Sequence, residues 1–204
     1  MKVLVILAHP DEQSFNYAIA RTVIEKLTAV GCEIIFHDLY KEKFEPLLYT
    51  EEIPREGKYG RIIEQHCEDL RTADSIVIIH PNWWGQPPAI LKGWIDRIFR
   101  PGIAYEFIDG DKGEGTPVGL LKTKTSVVLN TSNTSEEREN NIFLDPLETI
   151  WKNCIMDLCG VKNFYRKMFR IVVTSSDEQR KEWLDEVKQI VEDQIISQQI
   201  NISH

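Results

Sequence analysis

The sequence predicts an α/β protein: a doubly wound, five-stranded parallel sheet in the order 2-1-3-4-5, with helices on both faces. Three observations carry this expectation. Short apolar, β-branched runs alternate along the chain with longer segments whose apolar residues recur at helical spacing. The short runs are apolar throughout, the pattern of strands covered on both faces by crossover helices. Neither an internal repeat nor a linker interrupts the 204 residues, so one domain is expected over residues 1–204, with a frayed tail over 197–204.

Taken in order, Lys2 to Ala8 form the first strand, which stops at His9-Pro10. Ser14 stands at the N-cap position of a helix from Phe15 to about Val30, whose apolar face is Ile19, Val23, Ile24 and Leu27 and which Gly31 closes. Glu33 to His37 form a second strand. Asp38 to Gly60 shows little periodicity and many charges, so a long surface excursion is expected there. A helix from Arg61 to Thr72 leads into the central strand, Ser75 to His80. Next come a turn, Pro81 to Gln86, and a helix entered at Pro88 that runs to near Arg100 on Ile90, Leu91, Trp94, Ile95 and Ile98. Pro101-Gly102 breaks the chain. Tyr105–Ile108 and Thr116–Leu120 flank a glycine-rich charged loop, Asp109 to Gly115. Thr125 to Thr131 is a fourth strand with a polar tip, Ser132 to Ser135. A helix over Pro146 to Cys159 carries Leu147, Ile150, Trp151, Cys154, Ile155 and Leu158 on one face. The last strand lies within Asn163 to Thr174, centred on Phe169 to Val173, and Ser176 caps a C-terminal helix striped by Trp183, Leu184, Val187, Ile190 and Val191.

Composition excludes several classes of function. With 24 Lys+Arg against 32 Asp+Glu, the net charge of −8 argues against a general phosphate-backbone binder, and no nucleic-acid partner is expected. The first apolar run ends at His9-Pro10-Asp11-Glu12 without a small-residue cleavage site, so it reads as a strand rather than a signal peptide. No apolar segment is long enough to span a bilayer, and a cytoplasmic location is expected. Cys32, Cys67, Cys154 and Cys159 are scattered with no Cys-x-x-Cys pair and read as reduced core thiols; no metal site is expected.

Chemistry concentrates at the switch point, where the loops after strands one, three and four converge. In the first loop, Ser14, Phe15 and Asn16 offer backbone N–H groups, a hydroxyl and an amide at a helix amino terminus, and His9 adds a ring N–H. This suits a phosphate or pyrophosphate, although it is neither a Walker loop nor a Gly-x-Gly-x-x-Gly fingerprint, and Ser14 reads equally well as a plain N-cap. The second loop, Pro81, Asn82, Trp83, Trp84 and Gly85, carries adjacent tryptophans; an isolated pair reads as core packing, but at the carboxyl end of a central strand it reads as a wall for something flat. In the third, Thr131, Ser132, Asn133 and Thr134 supply groups that hydrogen-bond a heteroaromatic ring edge. Together the three describe a flavin site.

Leu7-Ala8-His9-Pro10-x-x-x-Ser14-Phe15-Asn16, with Pro87-Pro88-Ala89-Ile90-Leu91-Lys92-Gly93-Trp94-Ile95-Asp96-Arg97-Ile98-Phe99 and Ala104-Tyr105, closely resembles the NAD(P)H:quinone oxidoreductase family of flavodoxin-like flavoproteins, over Met1 to about Val191. The resemblance implies a homodimeric flavoenzyme, with its site at the dimer interface, in which NAD(P)H reduces a bound flavin and a quinone or similar aromatic acceptor then takes two electrons at the same face. By position, His9, Ser14, Phe15 and Asn16 would hold the phosphate or pyrophosphate, Pro81 to Gly85 would line the ring, and Thr131 to Thr134 its other edge. FAD is favoured over FMN because the Asp38–Gly60 excursion offers cover for an adenosine. Two departures stand out. The loop after strand four is not glycine-rich, and Glu136, Glu137, Arg138 and Asn140 stand where family members place a Tyr and a His that relay charge. No catalytic acid or base is therefore assigned, and His80 reads as a strand-end histidine held by a backbone carbonyl. The second reading is a flavin-binding regulatory subunit of a potassium-efflux transporter, with a membrane partner and weak turnover.

Overall fold

The computed structural model describes residues 1–108 and 115–197. In chain order the elements are β1 (Lys2–Leu7), α1 (Phe15–Ala29), β2 (Glu33–Asp38), α2 (Arg61–Thr72), β3 (Ser75–Pro81) and α3 (Ala89–Ile98). They continue with β4 (Tyr105–Glu106), β5 (Val118–Gly119), β6 (Thr125–Ser132), α4 (Glu136–Asn141), α5 (Pro146–Glu148), β7 (Asn163–Arg170) and α6 (Asp177–Val191). The main sheet runs β2-β1-β3-β6-β7 with every pairing parallel, which is the expected 2-1-3-4-5 order counted over its own strands. β4 and β5 pair with each other, antiparallel, in a separate two-stranded sheet.

Strand pleating sends alternate side chains to opposite faces, and this sorts the apolar runs into two cores. Leu4, Ile6, Ile76, Ile78 and Val128 face Leu70, Leu91, Trp94 and Trp151 on the α2/α3 side. Val3, Val5, Leu7, Val77, Ile79, Val127 and Leu129 face Ile19, Val23, Leu27, Val187 and Val191 from α1 and α6. β1, β3 and β6 are buried almost throughout, as the unbroken apolar runs require.

Three expectations change. The last strand ends at Arg170, and Val172–Thr174 form a 3₁₀ turn instead. Among the described residues β7 is an edge strand with β6 as its single neighbour, so its position follows from pairing with Thr125–Ser132 and not from the apolar run that suggested it. The helix expected over Pro146–Cys159 widens after Glu148 into π-helical turns over Thr149–Met156. Of the four free thiols only Cys67 and Cys159 are core; Cys32 is half-buried and Cys154 exposed. Most of the glycine-rich Asp109–Gly115 loop and nearly all of the expected tail lie outside the described residues. No helix among the described residues is long and apolar enough to cross a membrane.

The 38–60 excursion is pinned rather than free. Glu52 and Arg97 are both buried and paired at 2.5 and 2.9 Å, and Arg97 also donates to the Glu45 carbonyl at 2.5 Å. Beside this pair Pro46 lies directly on the Gly93 backbone of α3, so close that a Cβ there would sit 2.2 Å from the Pro46 carbonyl oxygen. The backbone cannot yield within a helix, so Gly93→Ala should lift the excursion and destabilise the protein by about 1–3 kcal/mol, read from chemical denaturation.

Candidate functional site

Parallel register brings the carboxyl ends of β1, β3 and β6 to one edge of the sheet, with Leu7 beside Ile79 and Pro81 beside Thr131, so that β3 and β6 run past the end of β1. Thr131 then ties the three loops together. Its carbonyl accepts the Asn82 N–H at 2.7 Å, and its Oγ1 accepts from Asn16 Nδ2 at 2.9 Å. A cleft of about 400 Å³ opens over this knot, lined by His9, Gln13, Ser14, Phe15, Asn16, Pro81, Asn82, Trp83, Thr131, Ser132, Asn133, Thr134, Val172 and Arg180. Eleven of the thirteen residues of the expected site fall here, and the other two, Trp84 and Gly85, line the adjoining larger cavity described below.

Ser14 occupies the N-cap position of α1 with extended backbone, yet its side chain caps nothing. Its Oγ and the Asn16 Oδ1 are buried and find no hydrogen-bond partner among the described residues. Buried polar atoms are almost always paired, so two orphans beside a helix amino terminus mark a place for a hydrogen-bonding ligand. His9 Nδ1 accepts from the Asp11 N–H at 3.1 Å, leaving Nε2–H as the ring's donor. Burial lowers the His9 pKa, so it offers a neutral N–H. The Phe15 ring is spent on Phe169 and Trp183, with centroids 6.1 and 5.6 Å away, and only its backbone is free to serve the cleft.

The tryptophan turn is a two-residue hairpin. Trp83 and Gln86 exchange backbone hydrogen bonds of 3.0 and 3.1 Å, and the residues between them, Trp84 and Gly85, both have positive φ, 58° and 72°. That is the geometry of a type I′ turn, uncommon for a bulky aromatic. Asn82 secures it: Oδ1 accepts the Gly85 N–H at 3.0 Å, and Nδ2 donates to both oxygens of buried Glu139 at 3.0 and 3.2 Å. The Asn82 amide is therefore a brace for the turn, and the residue lines both the cleft and the adjoining cavity. Trp84 is 100% exposed and Trp83 41%, which rules out the core-packing reading of the pair. Gly85, Trp84, Asn133, Thr134, Ser135, Arg138, Phe143 and Pro146, with Asn82, line the cavity of about 810 Å³ that adjoins the cleft.

The third loop is bound on both sides. Ser132 Oγ accepts the Thr134 N–H at 3.1 Å, and Asn133 Oδ1 accepts the Val173 N–H at 2.9 Å. Beneath it, His80 takes the role expected of it. Its Nδ1–H donates to the Pro81 carbonyl at 2.8 Å, while Nε2 accepts from Trp151 Nε1 at 2.9 Å and Asn130 Nδ2 at 2.8 Å. A proton on Nε2 would cost two acceptor bonds in a fully buried place, and burial lowers its pKa to about 4.

Gln13, Arg138, Glu139, Phe143 and Arg180 are the lining or supporting residues that sequence reasoning missed. Arg180 donates to Ser175 Oγ at 2.9 Å and the Val172 carbonyl at 3.2 Å, at the rim of the smaller cleft. The signal for it was weak, since it depends on where β7 ends. In the sequence Arg138 marks only a position where family members carry a relay residue.

A second polar cluster lies on the α2/α3 side. His37 is held between Glu42 Oε1 and Asp69 Oδ2, both at 2.9 Å, and its ring stacks on His66 at 3.8 Å. Burial opposes the His37 charge, but the two carboxylates outweigh it and raise its pKa. Burial, then the neighbouring His37, lowers His66 to about 3. His37, Glu42 and His66 have ligand atoms within 4.8 Å of one another. However, Trp94 Nε1 donates to His66 Nδ1 at 3.0 Å, which places the His66 proton on Nε2, the nitrogen facing Glu42. A metal there would require that proton to leave and the Trp94 bond to break, so the cluster reads as a hydrogen-bond web.

A five-stranded 2-1-3-4-5 sheet with its cleft at the switch point defines a flavodoxin-like protein. Residues 1–195 match the family model described as flavodoxin-like fold, and the chain belongs to that family, among its NAD(P)H:quinone oxidoreductases. It is 31% identical over 189 residues to an uncharacterised NAD(P)H oxidoreductase of Haemophilus influenzae, covering 91% of each chain. It is 28% identical to the ribosyldihydronicotinamide dehydrogenase [quinone] of Rattus norvegicus, covering 93% of this chain and 91% of that one. Among solved structures it is similar to the NAD(P)H:quinone oxidoreductase of Methanothermobacter marburgensis, with a TM-score of 0.80, 26% identity, and coverage of 93% and 94%. The protein is an oxidoreductase.

Two outcomes follow from this geometry. A Cβ at Gly85 would meet Pro146 Cγ at 2.9 Å on a backbone of φ +72°, so Gly85→Ala should cost about 1 kcal/mol or more and spoil the turn, seen in denaturation and in Trp fluorescence. His80 and His66 are neutral when folded and become chargeable near pH 6.5 when unfolded. The unfolded chain therefore binds more protons below that pH, and this contribution to stability is progressively lost on acidification from about pH 6.5 toward 4 and then 3. Denaturation midpoints measured at pH 7 and pH 5 should fall less in His80→Asn than in the unaltered protein.

Proposed function

We propose that this protein is a flavin-dependent NAD(P)H:quinone oxidoreductase working by a two-step, two-electron cycle. The observation that carries the reading is the pair of orphaned buried atoms, Ser14 Oγ and Asn16 Oδ1, at the amino terminus of α1. Ser14 Oγ–H, His9 Nε2–H and the first backbone N–H groups of the helix present donors to a phosphate without any side-chain rearrangement. Asn16 Oδ1 is an acceptor and suits a ligand hydroxyl. A bound flavin supplies the redox chemistry, passing the hydride equivalent of NAD(P)H to the quinone. The chain positions the reactants: Trp83 and Trp84 give planar groups a face to stack on, and the Thr131–Thr134 loop supplies hydroxyl and amide groups beside it. FAD is the preferred form. Arg180 at the far rim of the cleft adds a cation beyond the His9–Ser14 donors, as a second phosphate would need. The excursion over residues 38–60 is not the support for FAD that the sequence suggested, since its visible anchors, Glu52 and Pro46, lie against α3.

Quinone is the acceptor class of the named relatives, and an open cavity with one fully exposed indole suits a planar aromatic. The same exposure supports a homodimer with the second copy closing the site, because a large apolar group at a cleft rim is usually covered. Light scattering should give about twice the monomer mass of 23.7 kDa.

The test is the visible spectrum of purified protein, with the cofactor identified by mass spectrometry after release. Anaerobic NAD(P)H should bleach a flavin band and a benzoquinone restore it; flavin that responds to neither overturns the enzyme reading. Ser14→Ala separates the two roles of that side chain. Loss of an ordinary N-cap would cost about 1 kcal/mol of apoprotein stability. Loss of a phosphate contact should instead leave apoprotein stability nearly unchanged and weaken flavin binding by about tenfold or more, measured by fluorescence titration.

A further inference from the structure

We propose that Arg138 makes the larger cavity selective for planar aromatic acceptors that carry an anionic group, such as a sulfonate or carboxylate on the ring system. The inference rests on the oxidoreductase reading and specifies its acceptor. Among the described residues Arg138 is the one charged side chain that lines the cavity of about 810 Å³; its other walls are amide, hydroxyl, aromatic, glycine and proline groups. Arg166 is paired with Asp145 and Glu148, and Arg180 lines the smaller cleft and not this cavity. The carboxylate nearest in sequence that is buried, Glu139, is turned to Asn82.

Arg138 instead lies over the Phe143 ring, with the guanidinium carbon 5.2 Å from the ring centroid. Stacking on an aromatic face orients the guanidinium plane while leaving its N–H groups directed outward. The residue is held at its base as well. Ser135 Oγ accepts the Arg138 N–H at 3.3 Å, and the Arg138 carbonyl accepts the N–H groups of Ile142 and Phe143, both at 3.1 Å. A planar fork set beside an exposed ring and Trp84 matches a flat molecule with a two-oxygen anion at its edge, because the fork can donate two parallel hydrogen bonds. The contrast with the rest of the chain sharpens the point. A protein of net charge −8 repels anions in general, and here a single cation faces an otherwise uncharged aromatic cavity. The anionic group takes no part in the electron balance. NAD(P)H and one proton supply the two electrons and two protons that convert the quinone to its hydroquinone, with NAD(P)⁺ released.

The experiment uses the flavin-loaded protein and two acceptors of one ring system, 1,4-naphthoquinone-2-sulfonate and uncharged 2-methyl-1,4-naphthoquinone. Arg138→Gln should lower the ratio of kcat/KM for the sulfonate over that for the neutral quinone by about tenfold, and Arg138→Lys should recover part of it. The preference for the sulfonate should weaken as salt is raised. Without turnover, naphthalene-2-sulfonate added to the oxidised protein should quench Trp fluorescence, with a Kd that rises in Arg138→Gln relative to that of naphthalene-2-sulfonamide. An unchanged ratio overturns the proposal, as do equal losses for both quinones or a loss confined to the KM of NAD(P)H. If neither quinone is reduced although flavin is bound, the oxidoreductase reading fails, and the sulfonate titration still decides whether Arg138 recruits an aromatic anion.

Discussion

Everything at the cleft depends on three parallel strands ending at one edge of the sheet, and on Thr131 converting that alignment into a fixed arrangement of loops. Its carbonyl takes the Asn82 N–H and its hydroxyl takes the Asn16 amide, so the loops after β1, β3 and β6 are joined through one residue. Both bonds are among buried or half-buried groups, where hydrogen bonds are least exposed to competition from water. Positioning is therefore settled by the sheet before any ligand arrives. That is the condition under which helix-terminus donors and a tryptophan face can act at small entropic cost.

Beneath the loops, polar groups are buried in numbers, and almost all are satisfied. His80 receives bonds from Trp151 and Asn130, Asn130 Oδ1 accepts from Arg166 at 3.2 Å, and Arg166 joins Asp145 and Glu148 at the start of the widened helix. The π-helical turns bring Trp151 to His80, and the same corner presents Pro146 to Gly85. The floor of the larger cavity is thus continuous with the tryptophan turn through packing and hydrogen bonds. Ser126 Oγ and Arg170 Nη1 are also buried without a partner, but only Ser14 and Asn16 place two such atoms together at a helix amino terminus lining the cleft.

The fold was legible because it is written in burial. Strands covered on both faces must be apolar throughout, and β1, β3 and β6 announced themselves for that reason. β7 did not, because an edge strand with Arg166, Lys167 and Arg170 obeys pairing rather than hydrophobicity. The three loops were legible as places, since topology dictates where they meet. What each side chain does there was only partly legible. Asn82 is the clearest case: it lines the cleft where its place in the loop puts it, but nothing nearby in sequence shows that Glu139, fifty-seven positions away, holds its amide. Arg138 and Arg180 reach the site from the first turns of α4 and α6, and Phe143 from the bend after α4, placements that depend on where those helices start, and the His37–His66 stack joins residues of separate elements.

Trp84 shows a tension between folding and use. Its backbone sits at φ +58°, a conformation that glycine or asparagine would adopt at lower cost, and its fully exposed indole repays nothing through packing. The fold would tolerate its replacement and even gain from it. Such a position is free to drift, so the acceptor range of this cavity is evolvable one rim residue at a time while the sheet and both cores stay as they are.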